Sequence, residues 1–335
     1  MNKAKSTKSI IIKFIIGILL LIGTFLVAMI FGAANTSVKE VWLAITTNVT
    51  SDTITMIREI RFPREVAALI VGAALSVSGA IMQGLTRNPL ADPGLLGLTA
   101  GANAALAIMI ALIPSANYYL IMLACFIGAA IGVLMVFGIG ALRKGGFSPL
   151  RIVLAGAAIS ALLYGIADGV GLYFKISKDV SMWTAGGLLG ANWSQLKLII
   201  PVVTLGIIIS LLFSRQLTVL SLNEEVAIGL GQKITRIKII LYIIIILLAG
   251  ASVAIAGNLA FLGLMIPHIV RQIVGTDYRY ILPMSAIFGA AFMSIADTLA
   301  RTINAPYETP IAAIVAIFGL PFFLFIIQKG GKAIS

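Results

Sequence analysis

Residues 10–34 are apolar except for one charge, Lys13, and one hydroxyl, Thr24. About 20 such residues in a helix cross the hydrocarbon core of a bilayer. Runs of this kind recur to the end of the chain, so the first is neither an isolated secretory signal nor short enough to be one. Backbone exposed to lipid must satisfy its own hydrogen bonds, which leaves helices or a closed barrel. The runs lack period-two alternation, and this selects helices. Composition agrees: of 335 residues 60% are hydrophobic and 11% charged, where a soluble domain carries about a quarter charged. The expected fold is an all-α polytopic membrane protein forming a single transmembrane domain over residues 1–335. Ten spans are expected, at 10–34, 63–84, 95–113, 120–142, 149–173, 194–213, 239–257, 259–272, 280–299 and 309–328. The eighth is too short for a full crossing and reads as a half-length or re-entrant helix.

The formal net charge is +12, but the basic residues sit at the ends of apolar runs rather than in one patch. They read as topology signals and lipid-headgroup contacts, not as a nucleic-acid surface. Most of the 24 Lys and Arg fall on the side of the N-terminus when the ten spans are threaded, which places both termini in the cytoplasm. The same count puts 84–97 and 214–238 inside, and 35–62 and 300–308 outside. Trp42 reads as an interfacial anchor. Cys125 is the only cysteine and His268 the only histidine, so disulfides, His-pair metal sites and histidine triads within the chain have no material. No metal or cofactor is expected on this chain, and no catalytic residue.

"GAALSVSG" (72–79) is echoed by "GASVAIAG" (250–257) at an offset of 178, and Pro267 follows Pro89 at the same distance. The offset equals five spans, an odd number, so the two copies run in opposite directions across the membrane. Inverted repeats of this sort build alternating access in transporters. Gly128 and Gly132 form a GxxxG, and "AGAAISA" (155–161) supplies a second close-packing face.

Three regions carry polar chemistry. In 214–238, the stretch "NEEVAIGLG" (223–231) reads as a short helix capped by Asn223 or Ser221, with Glu224 and Glu225 in the first turn and Gly229 and Gly231 at its end. Such a helix is either a capped connector or the surface that receives a push from a cytoplasmic motor. In "GLTRNPLADPGLLG" (84–97), prolines at 89 and 93 disfavour helix in the residues before them, and Asp92 has Arg87 as an available partner. Asp168 interrupts "LYGIADGVGLYF" in mid-span, where a carboxylate is either part of a polar path or hydrogen-bonded inside the bundle. Gln83 and Asn103 present the same choice.

"RFPREVAALIVGAALSVSGAIMQGLTRNPLADPGLLGLTAGA" (61–102), "AGNLAFLGLMIPHIVRQIVGTDYRYILPMSAIFGA" (256–290) and "ADTLAR…YETPIAAIVAIFGLPFFLFII" resemble the FecCD family of ABC-importer permeases. The resemblance extends from the second span to the end of the chain. It implies a fold like that of the cobalamin-importer permease, transport of an iron–siderophore, haem or cobalamin, and a pore formed with a second identical or homologous permease. It further implies two cytoplasmic ATP-binding subunits and an external substrate-binding protein. The chain has no G-x-x-x-x-G-K-[ST] loop, so ATP would be used by the partner subunits. "LNEEVAIGLG" matches the family's ATPase-coupling segment, which assigns Asn223, Glu224, Glu225, Ala227 and Gly229 to that contact. Arg61, Arg64 and Arg301 match positions used to dock the binding protein, where exposed guanidinium groups would meet its carboxylates. Headgroup contacts, or a pair between Arg301 and Asp297, are the structural alternatives. The turn at Asn88, Pro89 and Leu90 would stand at the inner gate, with Asp168 further along the path. A transporter driven by an ion gradient is the alternative of a different class. It needs carboxylates in the membrane, of which Asp168 is the candidate.

Overall fold

The structure, a computed structural model, describes residues 2–32, 36–141, 149–188 and 190–330. After α1 (Asn2–Ile30) come two short helices, α2 (Val38–Thr46) and α3 (Asp52–Met56). A π-helical turn (Ile57–Arg61) leads directly into α4 (Phe62–Thr86). A 3-10 turn (Pro93–Leu96) precedes α5 (Leu98–Leu112), followed by α6 (Tyr118–Ala141) and α7 (Pro149–Tyr173). The short α8 (Ser177–Thr184) leads to α9 (Trp193–Leu212), and α10 (Ser214–Leu222) and α11 (Glu224–Gly229) fill the next connection. The chain closes with α12 (Ile234–Ala256), α13 (Leu262–Val274), α14 (Tyr278–Thr302) and α15 (Ile311–Gly330).

Among the described residues, seven helices are long and apolar enough to cross a membrane, and three shorter apolar ones, within α5, α13 and α15, accompany them. These ten stand at the ten spans expected from the sequence; the expected ends at 34 and 142 lie outside the described residues. Local chemistry sets several boundaries. Ser37 and Glu40 form a capping box that starts α2, and Asn192 and Gln195 form another that starts α9. Pro63 stands where the π-helical turn passes into α4 and has no N–H to give to the preceding turn. The Arg58 carbonyl of that turn accepts instead from Trp193 Nε1 at 3.0 Å. Arg87 ends α4 in the left-handed conformation, at φ 53°.

The two sets of spans that the sequence echo pairs exchange packing partners. Helix α4 packs against α13 and α14, and its counterpart α12 packs against α5 and α6. The corresponding halves are therefore α4–α7 and α12–α15, five spans apart. The 178-residue echo does not hold as a residue register: Gly79 lies inside α4 whereas Gly257 caps α12, and Pro267 lies inside α13 whereas Pro89 lies in a connection. Glycine makes the closest crossings possible. A side chain at Gly79 would collide with the backbone of Gly263, and one at Gly101 with the carbonyl of Gly128. Small residues at such contacts let helices gain dispersion energy where lipid removes the hydrophobic driving force. Cys125 is buried in this core, as its apolar surroundings in the sequence suggest.

Candidate functional site

At the end of the bundle that carries α2 and α3, the π-helical turn and α4 aim three charged side chains inward. Arg64 is 6% exposed. Its Nη2 donates to Asp297 Oδ1 at 2.8 Å and to Glu308 Oε2 at 2.9 Å, and its Nη1 donates to Glu308 Oε1 at 2.7 Å. Arg301, on α14, pairs through Nε with Asp297 Oδ2 at 2.9 Å and through Nη2 with Glu65. Ser294 Oγ donates to the other Glu65 oxygen at 3.1 Å. Arg61 donates to the Met29 carbonyl and to Thr36 Oγ1, each at 2.8 Å. Asp297 and Glu65 are fully buried. Three arginines face three carboxylates, so the cluster is balanced in charge and rich in hydrogen bonds, the condition under which buried ions are tolerated.

This corrects the expectation that Arg61, Arg64 and Arg301 stand exposed. Their guanidinium groups fasten α1, α4, α14 and the connection before α15 to one another, and the Arg301–Asp297 pair proposed as the structural alternative is present. The sequence reading missed Glu65 and Glu308. The available signal was scarcity: with only 12 Asp and Glu in the chain, an acidic residue beside Arg64 in "RFPRE" and another in "YETP" needed partners.

At the opposite end, Asn223 caps α11, its Oδ1 accepting the Glu225 N–H at 2.8 Å. Glu224 joins three elements: its Oε1 accepts from Lys238 Nζ of α12 at 2.9 Å, and its Oε2 lies 3.7 Å from Arg87 Nη2. Asn223, Glu225 and Gly229 are exposed. Ala227 is fully buried, so its assignment to the contact surface is corrected: it seats α11 on the protein. The outward surface is made instead by Leu222, Val226, Ile228 and Leu230, with Leu222 at 69% and Leu230 at 67% exposure. Sequence reasoning weighed the charges here and passed over these four. Nearby, hydrogen bonds from Arg279 hold the Asp277 carboxyl below its ordinary range.

Between the two ends lies a cavity of about 360 Å³, lined among others by Leu90, Asp92, Thr99, Tyr164, Asn258 and Phe261. It opens where the two halves of the repeat meet, since α4, α5 and α7 face α12, α13 and α15 across it. One wall is the turn from "GLTRNPLADPGLLG". Asn88 Oδ1 accepts the Leu90 N–H at 2.9 Å, and Asp92 Oδ1 accepts the Gly94 N–H at 2.7 Å. Asp92 thus shapes the turn, and Arg87 pairs with Glu224 rather than with Asp92. Pro89 is exposed, and Asn88 and Leu90 are half-buried. Asp168 lies outside the cavity lining, exposed on α7. It follows Ser160 and Tyr164, both in the lining, at successive helical-turn spacings. The alternative of hydrogen bonding within the bundle is not what the structure has: among the described residues Asp168 has no hydrogen-bond partner. Gln83 and Asn103 are the opposite case. Both are buried and bonded, Gln83 to Arg271 and Asn103 to Thr184.

Two sets of spans that exchange packing partners, with a chamber where they meet, are the build of a membrane transport protein. The chain belongs to the FecCD transport family, whose model matches residues 19–329. It is 42% identical over 312 residues to the iron(3+)-hydroxamate import system permease protein FhuB of Bacillus subtilis (strain 168), covering 93% of this chain and 81% of that one. It is 41% identical over 281 residues to the hemin transport system permease protein HmuU of Yersinia pestis, covering 81% and 82%. Among solved structures, an inward-facing metal-chelate type ABC transporter superposes with a TM-score of 0.82 at 27% identity, over 93% of this chain and 97% of that one.

Proposed function

We propose that the protein is the permease subunit of an ATP-driven ABC importer that carries an iron–siderophore complex into the cytoplasm by alternating access. The observation that carries this reading is the family match across residues 19–329. The relative FhuB, an iron(3+)-hydroxamate permease, makes a ferric hydroxamate the first cargo to test. Haem is the second reading, favoured by the 41% identity to HmuU.

Both termini and α11 face the cytoplasm in this account, following the bias of Lys and Arg. A second permease, identical or homologous, completes the pore, and one ATPase subunit seats on α11 of each copy. The apolar surface of Leu222, Val226, Ile228 and Leu230 suits that contact, with Asn223, Glu224, Glu225 and Gly229 around it. Hydrolysis belongs to the ATPases, and this chain holds no cofactor. A substrate-binding protein docks on the outer end, over the α4–α14 framework that Arg61, Arg64 and Arg301 hold in shape. The chamber is the inner part of the path, with Asn88, Pro89 and Leu90 at the gate and Asp168 nearer the entrance. The test is the identity of the docking partner: a binding protein captured by the purified permease should retain a ferric siderophore. A captured protein that retains an amino acid or a sugar contradicts the cargo assignment.

A further inference from the structure

Helix α10 runs straight into α11, yet its buried side faces the middle of the molecule. Thr218 Oγ1 accepts the Tyr278 N–H at 2.9 Å and lies 3.3 Å from Asp277 Oδ1, so α10 is bonded to the start of α14. The Tyr278 ring is buried, and its Oη accepts from Arg271 Nη2 of α13 at 3.2 Å. The same Arg271 nitrogen donates to Gln83 Oε1 of α4 at 2.8 Å. Gln83 then donates through Nε2 to the Leu264 carbonyl at 3.0 Å, in the first turn of α13. Leu264 and its neighbour Gly263 line the chamber. Gly84 leaves room for this arrangement: a side chain there would strike both Leu217 of α10 and the Tyr278 hydroxyl.

We propose that Thr218, Tyr278, Arg271 and Gln83 form a relay that passes displacement of the α10–α11 segment to the first turn of α13 at the chamber. They are positioning residues for ATP-coupled transport, touching neither nucleotide nor cargo. Two features suit them to this. The links join α10 to α14, α14 to α13 and, twice over, α13 to α4, so none of these helices can move without drawing on the next. Every polar group along the relay is wholly or partly shielded from water, so breaking a link strands a donor or acceptor and rigid-body movement is the easier response. The Glu224–Arg87 pair adds a second strut from α11 to the end of α4, at the exposed surface.

The inference rests on the reading of α11 as the ATPase contact, and the experiment separates the two. The complete importer, with ATPase and binding protein, is reconstituted in proteoliposomes, and ATP hydrolysis and uptake of a ferric hydroxamate are measured together. Tyr278→Phe, Gln83→Leu and Thr218→Val should leave the complex assembled and hydrolysing ATP. Uptake per ATP should fall about tenfold, within the usual range of coupling between sites. Thr218→Ser, which keeps the hydroxyl, should restore coupling. Uptake per ATP unchanged in all three variants overturns the relay, as does a fall in uptake matched by an equal fall in hydrolysis, the mark of a merely structural role. Failure of the unaltered permease to hold the ATPase overturns the α11 reading as well, and the relay with it.

Discussion

At the scale of residues, the buried ion cluster makes the sharpest claim. Arg64→Ala takes the arginine partner from Glu308 and leaves Asp297 with Arg301 alone, and losing one member of a buried pair costs about 3–5 kcal/mol. The expected result is a large drop in the thermal midpoint of the detergent-solubilised protein. Asp297→Asn and Glu308→Gln added to Arg64→Ala should recover part of it, because fewer charges are then stranded. Asp168 makes the opposite prediction. It is exposed on α7 and has no hydrogen-bond partner among the described residues, so Asp168→Asn should leave the melting temperature unchanged, and a shift in uptake without a shift in melting identifies it as part of the path. The sequence made the residue types legible but not their directions. Arg61 and Arg64 were found by motif, yet a π-helical turn before α4 decides where they point, and no spacing rule foretold it. Glu65 supplies the missing half of the cluster, and its pairing with Arg301 spans most of the chain, a distance that local patterning cannot bridge.

Helices and turns were the most readable level, because a bilayer imposes length and apolarity on every span. Even the brevity of α13 showed in the sequence, where the eighth span, at 259–272, is too short for a full crossing. What was not legible was how the short elements sit. In α11 the buried position is Ala227, and only packing against the bundle reveals that Leu222 and Leu230 therefore face outward. Introducing a charge there, as in Leu222→Asp or Leu230→Asp, should abolish co-purification of the ATPase while the permease still folds; truncation to alanine should weaken it by about 1–2 kcal/mol per residue, as for anchors in a protein interface. Retained co-purification in both charged variants contradicts the contact. At the crossing of α4 and α13 the prediction concerns folding itself. Gly79→Leu drives a side chain into the Gly263 backbone, and the variant should be degraded or aggregate, whereas Gly138→Leu, with open space around it, should accumulate normally.

The whole molecule is one of two halves that exchange partners, α4 with α13 and α14, α12 with α5 and α6. The chamber between them is bounded on one side by the Asn88–Leu90 turn, and α11 stands at the end of the bundle beside it. That arrangement suits a machine in which force applied at one end alters the shape of a central cavity. It also distinguishes the two classes of transporter the sequence admitted. An ion-coupled carrier needs carboxylates poised for its ion in the spans, while the buried acids Glu65 and Asp297 are bound to arginines and Asp168, its candidate in the sequence, lies outside the chamber lining. Family membership and the exposed apolar helix point to a motor supplied by other subunits. The most direct measurement is uptake of a radiolabelled ferric hydroxamate into proteoliposomes containing the permease, its ATPase and its binding protein. Uptake that requires ATP inside the cytoplasm-equivalent compartment and persists when proton and sodium gradients are collapsed is the predicted result. Uptake that proceeds without ATP and stops when either gradient is dissipated would contradict the account.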